Sequence, residues 1–288
     1  MDFKKYLEKS VKGLDRELEK ILKEQLKKAE RTDRKLIPLI KAFTRSCQGG
    51  KRIRGSLVML GFQLAAHLRG ENVRWNKAHL GGEILKVAAA YEICHSAILA
   101  HDDIIDESLT RRGQPSLYVA FGGGHYGISQ AICLADYGFF LSYNIFSETD
   151  FPDDCKIKAL NLFSKVMMNT TWGEMLDMEE TDPFIVMKLK TAYYTIAGPL
   201  QIGAILAGAD EKLIGVLEKF GENLGVAFQI KDDILDNEVA GTGGSNSAKN
   251  EAKKYENRAM KIVPEITKDQ KTSKLLKQLG EYLVRRTK

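Results

Sequence analysis

The chain has 288 residues, of which 44% are hydrophobic and 28% charged, and its formal net charge is +5. This composition is ordinary for a globular protein. No apolar run reaches the ~18 uncharged residues of a membrane span. The start of the chain shows no apolar signal-peptide core. Basic residues are dispersed rather than gathered in a stripe, which argues against a nucleic-acid partner. The four cysteines show no metal-ligand or disulfide spacing. We therefore expect a cytoplasmic protein with reduced thiols.

Helical periodicity runs through nearly the whole chain. Apolar residues recur three and four positions apart, as in Leu14 and Leu18 and again in Leu213 and Leu217, whereas alternating β-branched runs are scarce. The pattern predicts an all-α fold of roughly ten to twelve helices and no sheet. No segment is long enough to be a flexible linker, so we expect residues 1–288 to form a single domain.

The segment 49–55 combines a glycine pair with basic side chains at a predicted helix start. Glycines allow backbone amides to approach an anion, and the N-terminus of a helix carries partial positive charge. Lys51 and Arg54 lie three positions apart, on one face of that helix. The segment is a candidate phosphate-binding site, although a single basic pair is more commonly just solvated.

A mostly apolar helix at 84–99 leads into the first of two aspartate clusters. A helix that is apolar on most sides is buried, so this cluster should lie at the end of a central helix. Asp102 and Asp106 are four residues apart, which places their β-carbons about 5–6 Å from each other. Two carboxylates at that distance repel by roughly 3 kcal/mol at an effective dielectric constant near 20, which favours their neutralisation by cations.

Further basic and polar motifs follow the apolar helix and the first cluster. Arg111 and Arg112 come one short turn after the first cluster, and Lys190 precedes Thr191 in another helical run. Each motif is a weak signal alone. His95 lies on the apolar helix, where a lone histidine is more often a structural residue with a hydrogen-bond partner than a functional one.

The second aspartate cluster has the same form as the first. Its members, Asp232, Asp233 and Asp236, follow another apolar helical run. One such pattern is easily explained by chance, but two are not. Hard oxygen ligands without cysteine favour Mg²⁺, which takes one or two carboxylates and completes its shell with water and substrate phosphates. The two clusters therefore predict a magnesium site for a phosphate-bearing substrate.

Together, the order and spacing of these motifs resemble the trans-isoprenyl diphosphate synthase (polyprenyl synthetase) family. The motifs and residues that carry the resemblance are 49–55, Glu92, His95, Leu99, 102–106, 111–113, Pro115, 173–177, 190–191, 228–229 and 232–236. The resemblance implies one large helical bundle of the isoprenoid-synthase type around a central active-site cavity. It also implies head-to-tail condensation of an allylic diphosphate with isopentenyl diphosphate, in a homodimer.

The resemblance assigns roles to the motif residues of this chain. The metal ligands, for about three Mg²⁺ ions, would be Asp102, Asp103, Asp106, Asp232, Asp233 and Asp236. The residues that hold the allylic diphosphate would be Arg111 and Lys190. Those that hold isopentenyl diphosphate would be Lys51, Arg54, His95 and Arg112. Thr191 and Gln229 would lie near the allylic carbon, where a carbocation develops.

The resemblance also bears on product length. In this family, bulk one to two turns before the first aspartate sets the floor of a tunnel for the growing chain. The corresponding positions are Ala97 and Ile98, with Cys94 deeper, and the small Ala97 favours a geranylgeranyl-like C20 product or a longer one. The aromatic residues that could close the tunnel farther down are Tyr91, Phe139, Phe140 and Tyr143.

Three departures from the family pattern stand out. Glu174 replaces the usual glutamine, Ala135 replaces the usual glycine before Asp136, and the segment after Asp236 is short. That segment lacks the lysines that normally help to close the active site, and Lys249 and its neighbours are poor substitutes by spacing.

Two other interpretations remain open. The chain could be the partner subunit of a heteromeric prenyl synthase with little activity of its own; the intact aspartate clusters argue against this and the short segment argues for it. It could instead be a terpene cyclase or a head-to-head condensing enzyme, which share the all-helical fold. The segment 49–54 argues against a cyclase, which has no second diphosphate to hold.

Overall fold

The computed structural model describes residues 2–68, 77–179, 181–239 and 246–284, and for 77–80 and 236–239 it describes the backbone alone. In chain order the helices are α1 (Phe3–Thr32), α2 (Leu36–Ser46), α3 (Ile53–Leu68), α4 (Lys77–Ile105), α5 (His125–Ser147), α6 (Asp153–Asp177), α7 (Pro183–Val186), α8 (Gly198–Leu206), α9 (Glu211–Val239), α10 (Asn246–Ile266) and α11 (Gln270–Val284). A 3₁₀ turn covers Val119–Phe121, and a π-helical segment covers Met187–Ala197.

The all-α prediction is confirmed, with one correction. A two-stranded ribbon, β1 (Thr110–Arg111) and β2 (Gln114–Pro115), pairs antiparallel where no sheet was expected. Its two-residue loop has Arg112 at φ +54° and Gly113 at φ +73°. Two successive positive φ values are what the tightest β-hairpin turns require, because they match the twist of the strands. The ribbon was missed because arginine at the first loop position is not a usual signal for such a turn.

The chain divides into two compact units that alternate in sequence. One contains residues 1–9, 56–80 and 151–288, and the other contains residues 10–55 and 81–150. We call them the large unit and the small unit, and describe each by itself. The prediction of a single domain over 1–288 stays a prediction.

The core of the small unit forms around α4. This helix buries Ala89, Ile93 and Ala97 almost completely, which confirms the prediction of a central apolar helix. Phe43 of α2 packs edge-on against Tyr137 of α5, with ring centroids 6.1 Å apart. The aspartates of the first cluster are therefore attached to a helix that is buried in the core of this unit.

The core of the large unit is built from closely crossing helices. Every residue of α8 is buried. A methyl group placed on Gly203 would collide with the carbonyl oxygen of Val58 in α3, and one on Gly61 would collide with that of Leu200. Glycine at these positions lets the two backbones touch, which positions α8 firmly against α3.

Candidate active site

The first aspartate cluster lies at the carboxyl end of α4. The helix ends at Ile105, but the amide of Asp106 still donates to the carbonyl of Asp102 at 2.9 Å, so the two residues keep helical register. Glu107 then takes a left-handed φ of +51°. Carboxylates are unfavourable at this end of a helix, where the macrodipole is negative. The cluster therefore needs a cation from elsewhere.

Arg111 supplies one such cation. Its Nε donates to Asp103 Oδ1 at 2.8 Å, its second terminal nitrogen donates to Asp102 Oδ2 at 3.0 Å, and that nitrogen also contacts Asp103 Oδ1 closely. Asp103 is only 3% exposed. Burial raises the pKa of its carboxyl, and the hydrogen bonds from Arg111 act in the opposite direction. Asp102 and Asp103, both predicted metal ligands, are thus held in place by Arg111, the residue predicted to bind the allylic diphosphate. Asp106 is exposed.

Arg112 bridges the ribbon and the glycine pair. Its Nη1 donates to the carbonyl of Gln48 at 2.8 Å, and a methyl group on Gly50 would lie 2.9 Å from its Nη2. Gly49 and Gly50 have φ values of +72° and +88°, which glycine adopts without strain. Two motifs that are far apart in sequence, the glycine pair and the arginine pair, are therefore brought together in the small unit.

A buried arginine supports this loop, and sequence reasoning gave it no role. Arg52 is 5% exposed; its Nε donates to Asp15 Oδ1 at 2.8 Å and its Nη2 to the carbonyl of Cys47 at 2.9 Å. Its Nη1 lies 3.6 Å from Glu92 Oε2. Glu92 also accepts from the amide of Gly55 at 2.8 Å. The anion at the start of α3 is therefore a carboxylate of the protein itself.

His95 and Arg54 are direct neighbours, as their shared predicted role requires. Arg54 Nη1 lies 3.2 Å from His95 Nε2. Burial, followed by the nearby arginines, holds the pKa of His95 well below its ordinary value. The ring is therefore neutral, and because a guanidinium can only donate, Nε2 is the acceptor and the ring proton is on Nδ1. Lys51, the remaining basic residue of the segment, has an exposed side chain.

A cavity of about 890 Å³ opens beside these groups in the small unit. Charged side chains at its wall are Arg45, Asp103, Arg111 and Arg112, and apolar ones include Leu99 and Leu117. Its size is that of a typical small-molecule site. Cations and apolar surface thus line one cavity, which is what an amphipathic anion requires.

The second aspartate cluster lies on α9 in the large unit. Asp233 Oδ1 accepts from Gln229 Nε2 at 2.7 Å, and Gln229 Oε1 accepts from the hydroxyl of Thr191 at 2.8 Å. The predicted catalytic residues Thr191 and Gln229 are therefore in contact, and Asp232 is the half-buried neighbour of Asp233. The side chain of Asp236, also a predicted metal ligand, lies outside the described residues.

Close packing sets the Thr191–Gln229 contact. A methyl group on Gly225 of α9 would collide with Ala192, and one on Gly221 would collide with Ala197. The backbones of α9 and the π-helical segment therefore touch along one side. π-Helical geometry is rare and frequent at functional sites, and here it contains both predicted functional residues of the segment.

Lys190 lies between two carboxylates at the end of α6. Its Nζ is 2.7 Å from Asp177 Oδ2 and 2.9 Å from Glu174 Oε2. Burial acts to lower the pKa of Lys190, but the hydrogen bonds to Asp177 and Glu174 outweigh it, so that pKa lies above its ordinary value. Sequence reasoning recognised the motif 173–177 but gave neither carboxylate a role; their spacing of three residues, on one helix face, was the available signal.

The predicted chain-length positions are mostly buried in α4. Ala97 and Cys94 are inaccessible and Ile98 is half-buried, and burial raises the pKa of the Cys94 thiol to about 12. A methyl group on Gly138 would lie 3.0 Å from Cβ of Ala97, so α5 packs tightly there. The assignment of these positions to a tunnel stays a prediction. One deeper position is corrected: Phe140 is 74% exposed and points out of the small unit.

The donor chemistry of the two clusters fits a hard cation. Among the side chains that the structure describes, no three acidic, histidine or cysteine groups form a ready-made metal cage. Mg²⁺ does not require one, since it binds through one or two carboxylates and keeps water and phosphate oxygens in its shell. Asp102, Asp106 and Asp232 are the residues that could hold it.

Within the described helices, none is long and apolar enough to cross a bilayer.

These features define an all-helical protein with two helix-borne aspartate clusters, the first bound by Arg111 and the second linked through Gln229 to Thr191. The sequence model of one family, polyprenyl synthetase, matches residues 38–279. The chain belongs to the polyprenyl synthetase family.

Particular relatives agree with this assignment. The chain is 31% identical to a geranylgeranyl diphosphate synthase of Methanosarcina mazei over 195 residues, which cover 65% of this chain and 55% of the relative. It is 32% identical to the enzyme of that name from Sulfolobus acidocaldarius over 197 residues, covering 65% and 54%. The chain thus spans about half the length of the curated relatives it matches.

A solved structure shares the fold along its whole length. A geranylgeranyl pyrophosphate synthase from Corynebacterium glutamicum, in complex with isoprenyl diphosphate and magnesium, superimposes with a TM-score of 0.86. All of both chains is covered, at 20% identity. At that identity the likeness establishes the fold.

Proposed function

We propose that this chain is a trans-prenyltransferase that condenses an allylic diphosphate with isopentenyl diphosphate, head to tail. The observation that carries the proposal is the set of contacts around the two aspartate clusters. Arg111 binds Asp102 and Asp103 in one unit, and Thr191 is linked through Gln229 to Asp233 in the other. We propose that both clusters serve the same reaction.

In the proposed reaction, the diphosphate leaves the allylic carbon as an anion, and the residues of this chain act on the charges that result. Asp102, Asp106 and Asp232 would hold Mg²⁺, which when bound neutralises charge on the departing diphosphate. Arg111 and Lys190 would bind the same diphosphate as preorganised cations. By stabilising the charge that develops on the diphosphate, Arg111 and Lys190 would favour ionisation of the C–O bond.

Polar groups near the allylic carbon would stabilise the carbocation. The linked side chains of Thr191 and Gln229 present oxygen dipoles whose orientation is fixed by their mutual hydrogen bond, so they lose no reorganisation energy when charge develops. The double bond of isopentenyl diphosphate then attacks the cation, and a proton leaves to the released diphosphate. Exclusion of water protects the cation from hydrolysis.

A separate set of residues, three cations and the neutral His95, would hold isopentenyl diphosphate. Those residues are Lys51, Arg54, His95 and Arg112. Arg54 receives its orientation from neutral His95, and Arg112 from the carbonyl of Gln48. Both contacts leave the guanidinium groups charged and fixed, which favours bidentate recognition of phosphate.

Product length, ion number and assembly belong to the same proposal. The relatives named as geranylgeranyl diphosphate synthases and the small Ala97 support a product of C20 or longer. We propose about three Mg²⁺ ions per site, a homodimer and a cytoplasmic location, as the family implies.

A second candidate is a partner subunit with little activity of its own. It is favoured by the short segment after α9, of which residues 240–245 lie outside the described residues. Lys249 and Lys253, which follow it, line a small cleft of about 190 Å³ together with Lys231 and Ile234. The same cleft contains Glu256, whose Oε2 lies 3.1 Å from Lys253 Nζ, so Lys253 is engaged by a carboxylate of its own helix α10.

Turnover of isopentenyl diphosphate separates the two candidates. The protein would be given dimethylallyl, geranyl or farnesyl diphosphate, with Mg²⁺ or with EDTA, and the product length determined. Elongation that EDTA abolishes and that Asp102→Asn reduces by several orders of magnitude supports the transferase. A folded protein that forms no product with any primer contradicts it and favours the partner subunit.

A further inference from the structure

Lys190 has two anionic partners where the family pattern offers one carboxylate and one amide. Glu174 and Asp177 lie three residues apart on the last turn of α6, on one face of the helix. Both accept from Nζ of Lys190, at 2.9 and 2.7 Å. The Lys190 side chain is 26% exposed and that of Glu174 18% exposed, so the pair is only partly screened by water.

The charge and the close packing at the end of α6 explain why Lys190 lies there. This helix has no basic residue in its last turn, so its negative end carries Glu174 and Asp177 without a cation of its own. Gly173 allows the π-helical segment to approach closely, because a methyl group there would collide with the amide nitrogen of Lys190. The backbone of Lys190 is thereby fixed, and its ammonium group can change partner only by rotation of the side chain.

The second carboxylate changes the local charge. Lys190, Glu174 and Asp177 together carry one positive and two negative charges, whereas a glutamine at position 174 would leave the group neutral overall. An approaching diphosphate has to take Lys190 from two carboxylates, which also repel the incoming anion. Charge-assisted hydrogen bonds are the stronger kind, so this competition acts directly on substrate affinity.

We infer that Glu174 is a positioning residue that competes with the allylic diphosphate for Lys190 and thereby sets the affinity of this chain for that substrate. The inference rests on the proposed function, in which Lys190 binds the diphosphate. Glu174 holds the ammonium group against α6 until a diphosphate replaces it. Loss of the Glu174 charge therefore strengthens binding of the anion, which is the opposite of what loss of a substrate ligand would do.

The test is the binding of inorganic pyrophosphate in the presence of Mg²⁺, measured by titration calorimetry on the full chain. Glu174→Gln keeps the shape of the side chain and leaves Asp177 in place. Its pyrophosphate affinity should rise about threefold, the size expected for a partly exposed ion pair. In a Lys190→Ala background, the same substitution should have no effect. The KM for the allylic diphosphate should fall by a similar factor, with the larger part of the change in KM rather than in kcat.

A matched control removes a charge nearby without touching Lys190. Glu179 is exposed, just beyond the end of α6, and Glu179→Gln changes the net charge by the same amount. It should leave pyrophosphate binding unchanged, and all variants should share the unfolding midpoint of the parent. The inference is overturned if the Glu174→Gln protein binds pyrophosphate no more tightly than the parent protein does. It is also overturned if neither protein binds pyrophosphate. An equal gain in the Lys190→Ala background overturns it too. If pyrophosphate binding changes as expected but the protein does not elongate any prenyl diphosphate, the proposed function is contradicted and the inference about Glu174 is not.

Discussion

The buried cation Arg52 provides the most direct test of how the small unit is held together. Arg52→Met should lower the free energy of unfolding by about 3 kcal/mol. The substitution keeps most of the apolar stem but removes the guanidinium, so it leaves Glu92, whose side chain is 4% exposed, as a buried anion without this partner. Breaking a buried pair in this way costs about 3–5 kcal/mol. The lower value applies because Glu92 still accepts a hydrogen bond from the amide of Gly55. It also stays near the positive end of α3, which stabilises an anion by about 0.3–2 kcal/mol.

The assay is urea-induced unfolding followed by far-ultraviolet circular dichroism, with Glu92→Gln as the matched control. Glutamine can still accept from Gly55 but carries no charge. The double variant should therefore be more stable than the sum of the single effects allows, by at least about 1 kcal/mol, because neither charge is left alone. A loss below about 1 kcal/mol for Arg52→Met, or strictly additive effects, would refute the argument.

Three further predictions concern the proposed site. The folded-state pKa of His95 lies below the ordinary value, so the unfolded chain takes up the proton first as the pH falls. The free energy of unfolding should therefore decrease below about pH 6.5, by up to about 1.4 kcal/mol per pH unit. His95→Gln should make the free energy of unfolding less dependent on pH, as measured by unfolding curves at several pH values. Thr191→Val removes the hydroxyl that orients Gln229 and should lower kcat about tenfold, whereas Thr191→Ser should retain most activity; equal losses would contradict an orienting role. Ala97→Phe should shorten the product, at a stability cost of about 1–3 kcal/mol from overpacking, and an unchanged product length in the folded variant would exclude the tunnel assignment.

Local periodicity predicted the parts of the site that lie on one helix. Asp102 and Asp106 are in register because four residues make about one helical turn, and this is independent of tertiary contacts. The same reasoning predicted Lys51 and Arg54 on one helix face, which is wrong, because α3 begins at Ile53 and Lys51 precedes it. It also could not identify the buried role of Arg52, which lies between them. Burial of Arg52 depends on Asp15 and Cys47, which approach through tertiary packing.

Contacts between helices were beyond the sequence pattern. The partners of Lys190 lie thirteen and sixteen residues earlier on another helix, and no period of the chain relates them. Phe140 was misplaced for a similar reason: hydrophobicity suggested an interior residue, but its position on α5 points away from the core of its unit. Single apolar residues at a surface are common, so composition gives no warning of such a case.

The π-helical segment has a consequence for how this gene can change in length. Met187–Ala197 holds eleven residues in a wider helical path than an α-helix would use. Deletion of one codon after Thr191 would turn Lys190 and Thr191 by about 100° relative to the fixed α8. Length variation should therefore be selected against along the continuous helix from α7 through α8, and tolerated in the connections before Pro183 and after Leu206.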